Sequence, residues 1–416
     1  MRPHIPLSTL VLMLFVSTVN VPAEDVDWTG WLGPNRDGWV DYFQPPAKWP
    51  ENLQQQWQVT VGEGYATPLV SAGRVYQYAR INEEETLWCL DLKTGNTIWK
   101  QSWPVPFKMG GGGEWHGKGP KAAPILHDGR LFAMGISGIL TAWDATSGAK
   151  LWQQDHSSEY EKLSHPYWGA CTSPVAVDDR VMVHFGNDDH GVLVAHDVSD
   201  GEAIWKQDKD APSYSSPLVV NMGEAQQIVE WNHRALVGID IATGEQLWDF
   251  PFEHVGTNQN MPTPIFHNGR IIVGGENRGI RGVEPTFTDG QWNAKELWHQ
   301  TDVALDMSSA VINDKYVYGF SHYGKGRLFC LDPANGKIMW QSPGRTAENV
   351  TFLSIPGYVL ALLDKGELRV IKATPDEYAL VAEYQVADSP TWAAPTLLSD
   401  GMLVKDREKL TLWKME

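Results

Sequence analysis

A chain of 416 residues with 42% hydrophobic and 20% charged residues is long enough to bury a large core. Its formal net charge of −18 excludes the basic surface that nucleic acid or anionic lipid requires as a partner. The 39 Gly and 20 Trp suit many tight turns with aromatic anchors and favour an all-β chain.

In chain order, residues 1–23 come first, with Arg2, an apolar run from about Leu7 to Val19, and Ala23 preceded two positions earlier by Val21. That pattern predicts a secretory signal cleaved after Ala23. The run falls short of the roughly 20 residues of a spanning helix, so a periplasmic or secreted chain with no membrane span after cleavage is expected. Residues 24–53 form an arm whose Trp28, Trp31 and Trp39 are interleaved with Gly-Pro and Asp-Gly turns. The arm is expected to pack as a coil on the domain that follows, residues 54–416. At its start, Trp57 ends a strand that has no hairpin before it.

From there one pattern repeats. Asp is followed by Gly four positions later and by Trp four positions after that. The copies are Asp91, Gly95 and Trp99; Asp144, Gly148 and Trp152; Asp197, Gly201 and Trp205; Asp240, Gly244 and Trp248; and Asp332, Gly336 and Trp340. Each predicts a hairpin: Asp accepts hydrogen bonds from turn amides, Gly supplies a positive φ, and Trp ends the outgoing strand as an amphipathic anchor. A Ser/Thr/Ala-Pro step, as in Ser173-Pro174 and Ser216-Pro217, opens the first strand of each unit, and a two-residue turn leads to the second. Copy five is eroded, and in copy seven Lys372 stands where Asp is due.

Four strands per unit at intervals of about 40 to 53 residues point to repeat architecture. The last unit supplies three strands before the chain ends at Glu416, and the unpaired strand around Trp57 is the missing fourth. The expected fold is all-β: an eight-bladed β-propeller of four-stranded antiparallel blades, closed by the N-terminal strand joining the C-terminal blade.

These repeats resemble the pyrroloquinoline quinone (PQQ)-like repeat family, with its pattern L-x-A-L-D-x-x-T-G-x-x-x-W, over residues 54–416. The resemblance places the chain in the eight-bladed quinoprotein-like superfamily, whose secreted bacterial members the arm also resembles. It implies the propeller strongly and an activity weakly, since the family holds both quinoprotein dehydrogenases and non-catalytic propellers.

Long crossovers and inner loops are expected to meet around the channel mouth. They would bring there Glu114, Trp115, His116, His165, Tyr167, Trp168, Asp188, Asp189, His190, Asn258, Arg278, Arg281, His322 and Tyr323. Aromatic, acidic and cationic side chains on one rim suit a polar ligand or a protein partner. Gly112 to Lys118 matches GxxxxGK, but Gly119 replaces the Ser/Thr and a strand follows, so no phosphate loop is expected. The adjacent Asp188, Asp189 and His190 do not fix a metal site, and no catalytic residue is assigned. Three scattered Cys lack the adjacent Cys-Cys pair that the resemblance associates with a bound quinone. The expected function is therefore a binding or scaffolding module with no cofactor. The alternatives are a dehydrogenase using PQQ with calcium, and a carbohydrate-active hydrolase or lyase.

Overall fold

The computed structural model describes residues 27–109, 113–156, 167–223, 225–256 and 260–415. The segment read as a secretory signal lies outside them, as do His165 and Asn258. Their strands form eight sheets of four, each antiparallel and each in chain order except the last. That last sheet takes its outermost strand, Gln54–Thr60, from the other end of the chain. Trp57 stands opposite Leu412 and Gln54 opposite Lys414, so the chain ends close the ring as expected.

The burial of each strand explains its composition. Middle strands are packed on both faces by neighbouring blades, and Arg130–Met134 or Tyr358–Leu363 are apolar along nearly their whole length. Outermost strands such as Thr97–Pro104 alternate between half-buried and exposed residues. The repeated Trp sits within this outer strand; it does not end it as the sequence suggested, since pairing continues to Pro104, Gln154 and Gln207. Trp57 likewise lies in the middle of Gln54–Thr60.

The Asp-Gly-Trp pattern couples blades as well as closing turns. Asp91 Oδ1 accepts from the amide and hydroxyl of Thr94, and Asp144 Oδ1 from Ser147 in the same way. The five Gly take φ between 71° and 80°. Each also lies under the Trp of the preceding blade, where an added Cβ would stand 2.5–2.9 Å from the ring atoms of Trp57, Trp99, Trp152, Trp205 or Trp298. The same indoles donate to the carbonyl just after the next blade's Asp: Trp57 to Leu92, Trp99 to Ala145, Trp152 to Val198, Trp205 to Ile241 and Trp298 to Pro333. A spacing that reads as a hairpin signal is therefore also a clamp between blades.

The exception follows from the eroded copy. Blade five replaces the tight turn with two ten-residue strands, Gly279–Thr288 and Gln291–Gln300. No equivalent carbonyl faces Trp248, and its indole donates instead to Gln227 Oε1 within its own blade at 2.8 Å.

The arm does more than pack on the domain. It runs around the inside of the ring and touches the innermost strand, or its leading step, in all eight blades. Trp28 exchanges backbone hydrogen bonds with Val70 in blade one, and the Thr29 carbonyl accepts from Leu126 in blade two. The buried Arg36 guanidinium donates to the carbonyls of Ser173 and Pro174 in blade three and Pro217 in blade four. Trp31 reaches Thr263 in blade five, Gly38 lies against Val311 in blade six, Gly38 and Val40 bond to Ser354 in blade seven, and the Tyr42 hydroxyl donates to Leu397 in blade eight. Trp28, Leu32, Val40 and Phe43 are buried, so the N-terminal segment lies inside the propeller's channel, beside a cavity of about 510 Å³ that it lines together with first-strand residues such as Val175, Val219 and Ile265.

Candidate functional site

A second cavity, of about 340 Å³, lies at the mouth where the long crossovers stand, with Trp31 of the arm in its lining. Its walls come from one position in the repeat. Counting back three residues from the Pro that leads each first strand gives Tyr65, Lys121, Cys171, Tyr214, Met261 and Trp392, and the equivalent residue before Ala310 is Met307. Counting back one gives Ser173, Ser216, Thr263 and Ser309, which also line it. Extended backbone alternates its side chains, so positions two apart share the axial side and converge.

Three of the sequence candidates join them: Trp115, His116 and Trp168. Glu114, Trp115 and His116 form a turn of 3-10 helix on the long crossover from blade one to blade two. His116 stands 4.6 Å from Trp392 and 6.0 Å from Trp168, ring centre to ring centre, with interplanar angles of 79° and 83°. Trp115 meets Trp392 at 67° and Tyr65 meets His116 at 88°. Most of these aromatic faces are set steeply to one another, and Trp115 lies against His116 at 3.6 Å and 32°. Burial, aided by Lys121, lowers the His116 pKa to about 4, so the imidazole is neutral at pH 7.

The hydroxyls of this lining are already used as acceptors. Ser173 Oγ accepts from the Ala123 amide, Ser216 Oγ from Ser173, Ser309 Oγ from Thr263, Thr263 Oγ1 from the Trp31 indole, and the Tyr214 hydroxyl from Trp168. Burial pushes the Tyr214 phenol well up, so it keeps its proton. Lys121 donates to the Trp168 carbonyl at 3.3 Å, and burial lowers its pKa. Cys171 is unpaired, and burial raises its thiol to about 11, so it is no thiolate at neutral pH. Cys89 and Cys330 are fully buried thiols, raised by burial to about 11 and about 12.

The other described candidates lie outside the cavity lining. Glu114 is exposed, and the Tyr167 amide donates to Asp188. Asp189 and His190 border a separate groove with Lys206, Asp210 and Arg234. Arg278 donates to the Glu253 carbonyl and Asn260 and lies over the rings of Trp231 and Phe252. Arg281 is paired with Glu296, and His322 with Asn277, beside Tyr323. Of the twelve described candidates, three line this cavity and nine do not: long loops carry these side chains, but most of the nine are engaged by neighbours. The residues that were missed carried a signal nonetheless, in their fixed distance from the leading Pro.

A family model described as outer membrane protein assembly factor BamB matches residues 83–342. The protein of that name from Burkholderia pseudomallei (strain K96243) is 35% identical over 123 residues, 30% of this chain but only 28% of that protein. Its Yersinia pestis namesake is 22% identical over 301 residues, 70% of this chain and 72% of that protein. Among solved structures, the quinohemoprotein alcohol dehydrogenase of Comamonas testosteroni superposes with a TM-score of 0.70 over 94% of this chain and 80% of that one, at 13% identity, a likeness of fold.

Proposed function

This chain belongs to the family described as outer membrane protein assembly factor BamB, and on that premise we propose that it works by binding, with the aromatic cavity at the channel mouth as its binding site. The observation that carries this reading is the convergence of seven blades and the arm on one cavity whose polar groups are a single ammonium, hydroxyls and a neutral imidazole. Its volume falls within the roughly 300–1,000 Å³ of ordinary ligand pockets. The N-terminal segment and the relatives' name support an exported chain that works in the envelope alongside other proteins. Residues 1–23 are proposed as the leader, 24–53 as the arm and 54–416 as the propeller.

The residues present do not fit a calcium-assisted quinone. Among the described residues no Asp or Glu lines the cavity, and no group of three His, Cys, Asp or Glu could hold a metal ion. The same lining lacks the pair of carboxyl groups that glycoside hydrolysis ordinarily uses. Purified protein supplied with PQQ and Ca²⁺, and offered primary alcohols and aldoses with an electron-accepting dye, is expected to reduce no dye above the buffer rate. Calcium-dependent dye reduction that disappears in His116→Ala would overturn the binding reading.

A further inference from the structure

We propose that the mouth cavity binds a pyranose carrying one carboxylate, a hexuronate or a terminal uronic acid of a glycan. The inference rests on the cavity being a binding site, and it follows from a count of donors, charges and ring angles.

Five hydroxyls around the cavity each accept one hydrogen bond from within the fold, while their own hydrogens find no acceptor among the described residues. Ser173, Ser216, Thr263 and Tyr214 are buried, so these donors cannot all turn to bulk water. Lys121 adds an ammonium whose hydrogen bond to the Trp168 carbonyl uses one of its three protons. Each hydroxyl can therefore donate one hydrogen bond and keeps a second lone pair, as the neutral imidazole keeps one, which suits a ligand whose hydroxyls both accept and donate. A half-buried ammonium with no acid among the described lining residues gains most from an anion. One cation balances one negative charge, so a tricarboxylate would leave two carboxylates uncompensated against apolar walls.

The aromatic rings select the shape. A flat plate binds best between parallel faces; here the near-parallel rings of Trp115 and His116, at 32°, lie 3.6 Å apart with no room between them, and the faces of His116, Trp168, Trp392 and Tyr65 meet at 54° to 88°. A puckered ring carries C–H groups on several sides and can lay them against walls that stand at steep angles. Ring hydroxyls and the ring oxygen then accept from the Ser and Thr hydroxyls, and the carboxylate accepts from Lys121.

The test uses full-length protein, tryptophan fluorescence and calorimetry, with D-galacturonate and D-glucuronate against D-galactose and D-glucose. Uronates are expected to bind at least tenfold more tightly than the neutral sugars. Lys121→Met is expected to bring uronate affinity down to the neutral level, with a near-ultraviolet circular dichroism spectrum matching the parent showing that the variant is folded. Lys118→Met, an exposed lysine paired with Glu83, is expected to bind uronates like the parent protein. Equal affinity for charged and neutral sugars, no uronate binding, or unchanged uronate affinity in Lys121→Met each overturns the proposal. Failed uronate binding without dye reduction removes only this ligand class; dye reduction removes the binding reading beneath it.

Discussion

Replacing Trp57 by Ala is expected to lower the unfolding free energy by about 3–5 kcal/mol, the cost of emptying a buried Trp site. Trp57 is only 9% exposed, its ring covers Gly95, and its indole donates to the Leu92 carbonyl at 2.9 Å. It thus ties the closing strand of blade eight to the hairpin of blade one, a contact between the two ends of the ring. A loss of this size is a large share of the roughly 5–15 kcal/mol that holds a domain folded. The closing strand should also fray, leaving the edge of Lys409–Lys414 free to pair with another chain. Urea denaturation followed by near-ultraviolet circular dichroism, with size-exclusion chromatography for aggregation, reads both effects. Trp115→Ala is the control: that side chain is 58% exposed, and its loss should change stability by less than about 0.5 kcal/mol.

The second large effect is expected at Arg36. Its guanidinium is buried without an acid partner and donates to the carbonyls of Pro174, Pro217 and Ser173 at 2.8, 2.9 and 3.2 Å. Burial lowers its pKa to about 9, so at pH 7 it still carries its charge into the channel. In Arg36→Ala three buried carbonyls lose a charged donor and a space opens beneath the mouth cavity. Each unsatisfied buried group costs about 1–3 kcal/mol, which puts the total near 3–5 kcal/mol once water re-enters. Much of the loss should appear as release of the arm, read by faster chymotrypsin cleavage at its aromatic residues within 27–53 at a concentration that leaves the blades intact. Cleavage unchanged from the parent protein would mean that Arg36 does not hold the arm.

Much of this fold was legible because the Asp-Gly-Trp spacing marks the same hairpin five times and the three-stranded end of the chain called for Trp57. The arm's path was not legible, since its partners are backbone carbonyls such as those of Pro174 and Pro217, which leave no mark in the sequence. The cavity was half legible. His116, Trp115 and Trp168 stood out as aromatic and imidazole groups on long loops. Tyr65, Lys121, Cys171, Met261 and Trp392 did not, because the position repeats while the residue type changes. Arg278 and Arg281 misled for a related reason: a cation on a loop looks available until Trp231, Phe252 and Glu296 are seen to occupy it.

The N-terminal arm, bonded to Val70 and Ser354, is an integral part of the propeller and lies beneath the cavity proposed as the binding site. Native-state hydrogen exchange tests it at the amides of Trp28, Gly38 and Val40, whose partners are the carbonyls of Val70, Leu32 and Ser354. The arm being integral, Trp28 and Val40 are expected to exchange as slowly as amides of the middle strands Arg130–Met134 and Tyr358–Leu363. Exchange of these arm amides at the rate of an exposed loop, with the blades still protected, would contradict it.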